Sequence, residues 1–169
     1  MNASVFSIRL EAPADQLAID RLNEAAFGPG RFARAAYRLR ECASHEPGLS
    51  FVAELGGRFV GSVRLTRILV GERPALLLGP LVVDDAWKDQ GCGRQLVGAA
   101  MDAARQDGHE LIILVGDAPY YAPLGFQPIE PKGAVTFPGP VDPGRLLVAK
   151  LKAGSAAGLS GPARPRHGR

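Results

Sequence analysis

The stretch from Ala75 to Gly108, ALLLGPLVVDDAWKDQGCGRQLVGAAMDAARQDG, decides how this chain is built. Its first nine residues are apolar at nearly every position, the pattern of a central strand covered on both faces. Gly79 and Pro80 interrupt that pattern. Proline removes a ladder donor and glycine weakens a strand interior, so the pair predicts a bulge or a place where neighbouring strands separate. Further on, Leu96, Val97, Ala100, Met101 and Ala104 fall on one helical face, Gln95, Asp102 and Arg105 face away, and Gly108 supplies the stop. The next run, ELIILVGD at residues 110–117, is a second fully apolar strand. Strand, helix and strand in that order form a βαβ unit with parallel strands.

Outward from this unit the elements are shorter. SVFSIRLEA (residues 4–12) reads as a first strand. Between Asp15 and Phe27 the residues Ala18, Ile19, Leu22, Ala25 and Ala26 share a helical face, and Gly28 with Pro29 ends the run. RFARAAYRLRECA (residues 31–43) reads as an arginine-rich second helix with Phe32, Ala35 or Ala36, Leu39 and Ala43 inward. LSFVAEL and RFVGSVRLTRILV flank the pair Gly56–Gly57, which favours a tight antiparallel hairpin. Downstream, APYYAPLG is a short helix or turn, FQPI follows, and a proline-rich loop from Pro131 to Pro143 leads to RLLVAKL as the last expected strand. No internal repeat is present.

At 169 residues and 46% hydrophobic content the chain has the size and apolar content of one domain. The start lacks a positive segment followed by a long apolar one, and no apolar stretch is long enough to span a bilayer, so a soluble cytoplasmic protein with no membrane role is expected. Cys42 and Cys92 are the only cysteines. They allow neither a disulfide framework nor a cysteine-rich metal site; two free thiols and no metal are expected. The net charge of +3 resides in Arg164, Arg166 and Arg169, and residues 1–152 are neutral, which argues against a nucleic-acid face. The segment 153–169, rich in glycine, alanine, proline and serine, is expected to be a flexible tail beyond a domain at 1–152.

A strand that turns directly into a helix leaves several backbone N–H groups unpaired beside the positive helix end, a spot that suits phosphate. Gly91 and Gly93 let the backbone curl around an anion, and Lys88 and Arg94 add charge; the plainer alternative is a tight strand-to-helix connection. A P-loop is excluded because Arg94 and Gln95, not Lys and Ser or Thr, follow Gly93. A dinucleotide fingerprint fits poorly, since Leu96 stands where glycine or alanine belongs.

With GPLVVDDAWKDQGCGRQL and the later YYAPLGF on the page, the sequence resembles the GNAT superfamily of acetyl-coenzyme A dependent N-acetyltransferases. LGPLVV, LVGDAPYYAPLGFQP and the first-helix EAAF resemble a bacterial subgroup of predicted acetyltransferases, and the resemblance covers roughly residues 6–152. It implies a single mixed α/β domain: a central, mostly antiparallel sheet with one splayed parallel pair and flanking helices. The family's pyrophosphate loop falls on Lys88, Asp89, Gln90, Gly91, Cys92 and Gly93, followed by Arg94. Lys88 departs from the usual Gln or Arg, Asp85 stands where proline is common, Cys92 replaces a branched aliphatic, and Asp89 adds an unfavourable charge.

The resemblance also gives the interrupted strand a purpose. In the family the pantetheine arm enters the splayed gap and pairs with backbone, here at Leu81, Val82 and Val83, where an N–H would also stabilise the oxyanion. Tyr121, four residues before Gly125–Phe126, matches the tyrosine that acts as general acid for the departing thiolate, with Tyr120 as its neighbour. Asp117 reads as the cap of the short helix. The base that deprotonates the amine has no assignment: Glu24 and Glu54 are candidates, His45 and His109 read as structural or solvated, and His167 belongs to the tail. Cys92 is not needed for direct transfer and reads as a buried or incidental thiol. The implied activity is direct acetyl transfer from acetyl-coenzyme A to a small-molecule or protein amine, in a possible homodimer. The alternatives are a non-catalytic acyl-coenzyme A binding or sensing module, and an interaction domain with a decayed ligand site.

Overall fold

The computed structural model describes residues 5–29, 35–41 and 43–166. The chain enters through β1 (Ser7–Leu10) and continues into α1 (Gln16–Phe27) and α2 (Ala35–Glu41). Then come β2 (Phe51–Leu55), β3 (Arg58–Val70) and β4 (Arg73–Val83), consecutive antiparallel partners joined by short turns. α3 (Cys92–Gln106) carries the chain to β5 (Leu111–Val115), which lies parallel to β4. The remaining elements are α4 (Ala118–Tyr121), β6 (Gln127–Pro128), β7 (Val135–Thr136), β8 (Leu146–Lys150) and β9 (Gly161–Pro165). The sheet runs β1-β2-β3-β4-β5-β8-β6, with β9 bonded to β3 and to β7.

The apolar strands are buried on both faces, as their unbroken hydrophobicity requires. Leu76 and Leu78 of β4, with Ile112 and Leu114 of β5, join Leu96, Val97, Ala100 and Met101 of α3 in one core. Their alternates Ala75, Leu77, Leu111 and Ile113 join Leu39 of α2 in the other. α3 buries the expected face, Leu96, Val97, Ala100, Met101 and Ala104, and adds Cys92 and Gly93 to it. α1 differs from expectation: it buries Ile19 and Asn23, while Ala25 and Ala26 are exposed. Of the second helix, residues 31–34 and Cys42 lie outside the described residues, and Ala35 and Leu39 face inward.

The largest departure concerns the expected flexible tail. β9 runs antiparallel to the end of β3, with Val70 opposite Ala163 and Ile68 opposite Pro165, and parallel to β7. Leu159 and Ala163 are buried, and Arg73 Nη1 donates to the carbonyls of Ser155 and Ala157 at 2.8 and 2.9 Å. Composition hides this strand because its two prolines and its single buried Ala163 leave no alternating pattern. A strand tolerates such prolines at positions where no ladder donor is needed. Among the described residues, no helix is long and apolar enough to cross a membrane.

Candidate active site

Gly79 and Pro80 open the sheet. Val63 pairs with Leu81 and Leu65 with Leu78, so β4 carries one residue more than β3 across this step, a bulge. Gly79 sits at φ +135°, a conformation that L side chains rarely adopt. On its other side β4 bonds to β5 only at Leu76–Ile112 and Leu77–Ile113. Beyond Leu77 the two parallel strands diverge, and the β5-facing backbone of residues 78–83 has no strand partner. Leu81 and Val83 line the resulting cleft, whereas Val82 is buried and pairs with Ser62.

The cleft, of about 1630 Å³, continues to the start of α3, where Lys88, Asp89, Gly91, Cys92, Gly93 and Arg94 line it. Gln90 of the same turn is not on the cleft wall. Asp89 (φ +61°) and Gly91 (φ +88°) are both left-handed, and Gly91 is the N-cap of the helix. That alternation turns successive N–H groups toward one point, and the first free N–H groups of α3 add to it. Lys88 is tied to Asp85 at 2.7 Å, which raises its pKa. Cys92 is 1% exposed, and burial pushes its thiol up to about 11, so it is an inert packing residue at neutral pH.

Tyr120 and Tyr121 divide the cleft between them. A Cβ on Gly93 would strike the Tyr120 hydroxyl, so that hydroxyl lies against the first turn of α3. Tyr121 turns the other way: its ring covers Gly116, where a Cβ would collide with it, and meets Phe126 edge-on at 5.7 Å. Burial, with Tyr120 and Asp117 adding to it, pushes the Tyr121 hydroxyl up to about 12; burial also raises that of Tyr120. Tyr121 therefore keeps its proton at neutral pH. Asp117 occupies the N-cap position of α4 but makes no side-chain cap bond; its Oδ1 pairs with Arg145 at 3.4 Å instead.

Sequence reasoning missed the charged network to which Arg64 and His45 of the cleft lining belong. Glu11, just after β1, accepts from Arg64 Nε at 2.7 Å and from His45 Nε2, while Arg64 Nη2 donates to Gln16 of α1 at 2.9 Å. Arg64 falls between Val63 and Leu65, opposite the bulge, which brings this charged network beside the opening. Burial opposes ionisation of Glu11, but the hydrogen bonds from His45 and Arg64 outweigh it and hold the carboxyl below its ordinary value. Asn23 and Thr66 line the same cleft. Both carried a legible signal: Asn23 stands four residues after Ile19 on the core-facing stripe, and Thr66 alternates with apolar positions of β3. Of the two candidate bases, Glu24 lines the cleft and Glu54 does not; of the histidines read as structural or solvated, His45 lines it. Glu54 is bound by Arg9 at 2.7 Å and His109 contacts Asp107 at 2.9 Å; neither borders the cleft.

Comparison with known proteins agrees with this geometry. Residues 17–126 match the model of the acetyltransferase (GNAT) family. The chain is 30% identical over 122 residues to the uncharacterized N-acetyltransferase YhbS of Escherichia coli K12, covering 71% of this chain and 72% of that one. It is 29% identical over 144 residues to YjhQ of the same organism, covering 83% and 78%. The crystal structure of Escherichia coli YhbS in complex with CoA superposes with a TM-score of 0.79 at 26% identity, over 98% of this chain and 92% of that one. A GNAT acetyltransferase from Brucella melitensis in complex with acetyl-CoA gives 0.60 at 29% identity, over 73% and 84%. A sheet that splays beyond Leu77, a helix opening on the left-handed turn at Gly91 and a half-buried tyrosine lining the same cleft thus sit in a sequence of the matching lineage: the chain belongs to the GNAT family of acetyltransferases.

Proposed function

We infer that the protein transfers the acetyl group of acetyl-coenzyme A directly to an amine held in the same cleft. The observation that carries this reading is the joining of two features in one cavity: the splayed edge of β4 and the nest at the start of α3. The backbone around Leu81 to Val83 supplies groups for an extended pantetheine arm to pair with. The turn from Lys88 to Arg94, Asp89 and Gln90 included, offers N–H groups and the positive helix end to a pyrophosphate. The names of the two superposed structures, one with CoA and one with acetyl-CoA, support the same choice.

In the transfer, the amine nitrogen forms a bond to the thioester carbonyl carbon and the carbon–sulfur bond then breaks. Backbone N–H groups of the unpaired β4 edge stabilise the oxyanion. The substrate ammonium first loses one proton to solvent and attacks as the free amine; Tyr121 donates a hydrogen bond, and its proton, to the departing sulfur, and the second proton, lost by the nitrogen once it is bonded to carbon, restores the Tyr121 hydroxyl. No covalent acetyl-enzyme is required, and buried Cys92 offers none.

Removing the Tyr121 hydroxyl leaves its ring against Gly116 and Phe126. Tyr121→Phe is therefore expected to lower turnover by about 10²- to 10⁴-fold, the usual contribution of a general acid. Its affinity for coenzyme A by titration calorimetry is expected to stay within about threefold of wild type, since less than one hydrogen bond is at stake. Release of free thiol from acetyl-coenzyme A at saturating amine provides the rate. A fully active Tyr121→Phe enzyme rejects the role, and absence of coenzyme A binding by the wild-type protein rejects the function.

A further inference from the structure

Two polar atoms on the α1 side of the cleft have no hydrogen-bond partner among the described residues although both are buried: Asn23 Oδ1 and Thr66 Oγ1. Asn23 is 9% exposed and Thr66 1%, and both residues line the cavity. They share one face of the sheet. Thr66 is two residues from Arg64 on β3, and the bond from Arg64 to Gln16 of α1 shows that α1 crosses that face. The Asn23 amide is held in one orientation, because Nδ2 donates to the Ile19 carbonyl at 2.9 Å; its oxygen is therefore the unused atom.

A buried acceptor without a donor weakens the fold, and proteins seldom leave one in place. One such acceptor, Asn23 Oδ1, and one unpaired hydroxyl able to accept as well as donate, Thr66 Oγ1, beside a reaction gap suit a ligand that brings its own donors. The same stripe of α1 presents Asp20 and Glu24 to the cleft, one turn apart, which adds negative charge to this side. We propose that Asn23 and Thr66 recognise the acceptor, and that this acceptor is a small amine bearing at least one further N–H or O–H group besides the nitrogen that is acetylated. The proposal rests on the acetyltransfer reading. It adds to that reading the chemical class of the second substrate and the two residues that select it.

The test compares matched probes with the full chain: n-butylamine against 4-amino-1-butanol and 1,4-diaminobutane, and cyclohexylamine against glucosamine. Thiol release from acetyl-coenzyme A gives kcat/KM for each. The donor-bearing member of at least one set is expected to exceed its apolar match by about tenfold or more, the effect of one well-made hydrogen bond. In Thr66→Val and in Asn23→Leu that preference is expected to shrink to within about threefold, while coenzyme A affinity stays at the wild-type value. Because each variant also removes an unpaired buried atom, its thermal midpoint without amine is expected to equal or exceed that of wild type. Equal rates within every set overturn the proposal, as does a preference that survives both substitutions. A lowered midpoint in the isosteric Thr66→Val overturns it too, by showing that the hydroxyl serves the fold. Intact coenzyme A binding with no thiol release for any probe rejects the acceptor class alone. Failure to bind coenzyme A rejects the acetyltransfer reading beneath it.

Discussion

At the scale of single residues, the contact between Gly93 and Tyr120 couples the two halves of the cleft. The Tyr120 hydroxyl fills the space a Cβ at Gly93 would need, whereas the ring carbon behind it lies 3.7 Å from that point, an ordinary contact. Gly93→Ala is therefore expected to displace Tyr120, and the same substitution in a Tyr120→Phe background is expected to be nearly neutral. A double-mutant cycle by urea unfolding should show a coupling of about 0.5–3 kcal/mol; strict additivity refutes the contact. Gly91 behaves differently, because nothing lies within 4 Å of its added Cβ and only its left-handed backbone resists a side chain. Gly91→Val is expected to cost about 1–2 kcal/mol of local strain, relieved by distorting the nest. Coenzyme A affinity measured by calorimetry should then fall sharply while the far-ultraviolet circular dichroism is retained. Unchanged affinity would remove the nest from the binding site.

Among the elements, the joint between β1, β3 and α1 depends on charge. The Glu11 carboxyl, held below its ordinary value despite burial, contributes stability that is present above the ordinary carboxylate value of 4.5 and is lost as pH falls through the lower value of the folded state. Glu11→Gln is expected to lower the thermal midpoint at pH 7 and to lose less on acidification between pH 5 and 3 than wild type does. Parallel midpoint curves for the two proteins would refute the linkage. This joint also marks the limit of what the sequence discloses. The βαβ unit was legible because its signals are local: apolar runs in β4 and β5, a helical stripe from Leu96 to Ala104, and the break at Gly79–Pro80. The turn at Gly91 and the tyrosine at the end of α4 were legible by motif. Glu11, His45 and Arg64 were not, because their meeting depends on a sheet register that brings residues 53 positions apart within hydrogen-bond reach. The displaced stripe of α1 was missed for a related reason. Periodicity ranks residues by hydrophobicity, and at Asn23 a polar residue takes the buried position while Ala25 and Ala26 face water.

For the molecule as a whole, residues 153–166 are part of the fold. Deleting them removes buried Leu159 and Ala163 and uncovers the outer edge of β3. Loss of one fully buried leucine alone costs about 2–5 kcal/mol, so truncation after Lys152 is expected to lower the thermal midpoint by more than about 5 °C. A midpoint within about 1 °C of the full chain, far less than such a loss gives, would show that composition was the better guide to this segment. The segment also bears on biosynthesis. β3 meets β2 and β4 through turns that close as soon as they leave the ribosome, but Gly71 at its end is bonded to Arg164, 93 positions later. Throughout that interval the nascent chain carries a bare strand edge, open to pairing with whatever strand is nearest. In a crowded polysome the nearest is the equivalent segment of a neighbouring chain, so exchange of β9 between copies is the misassembly expected from this order of synthesis.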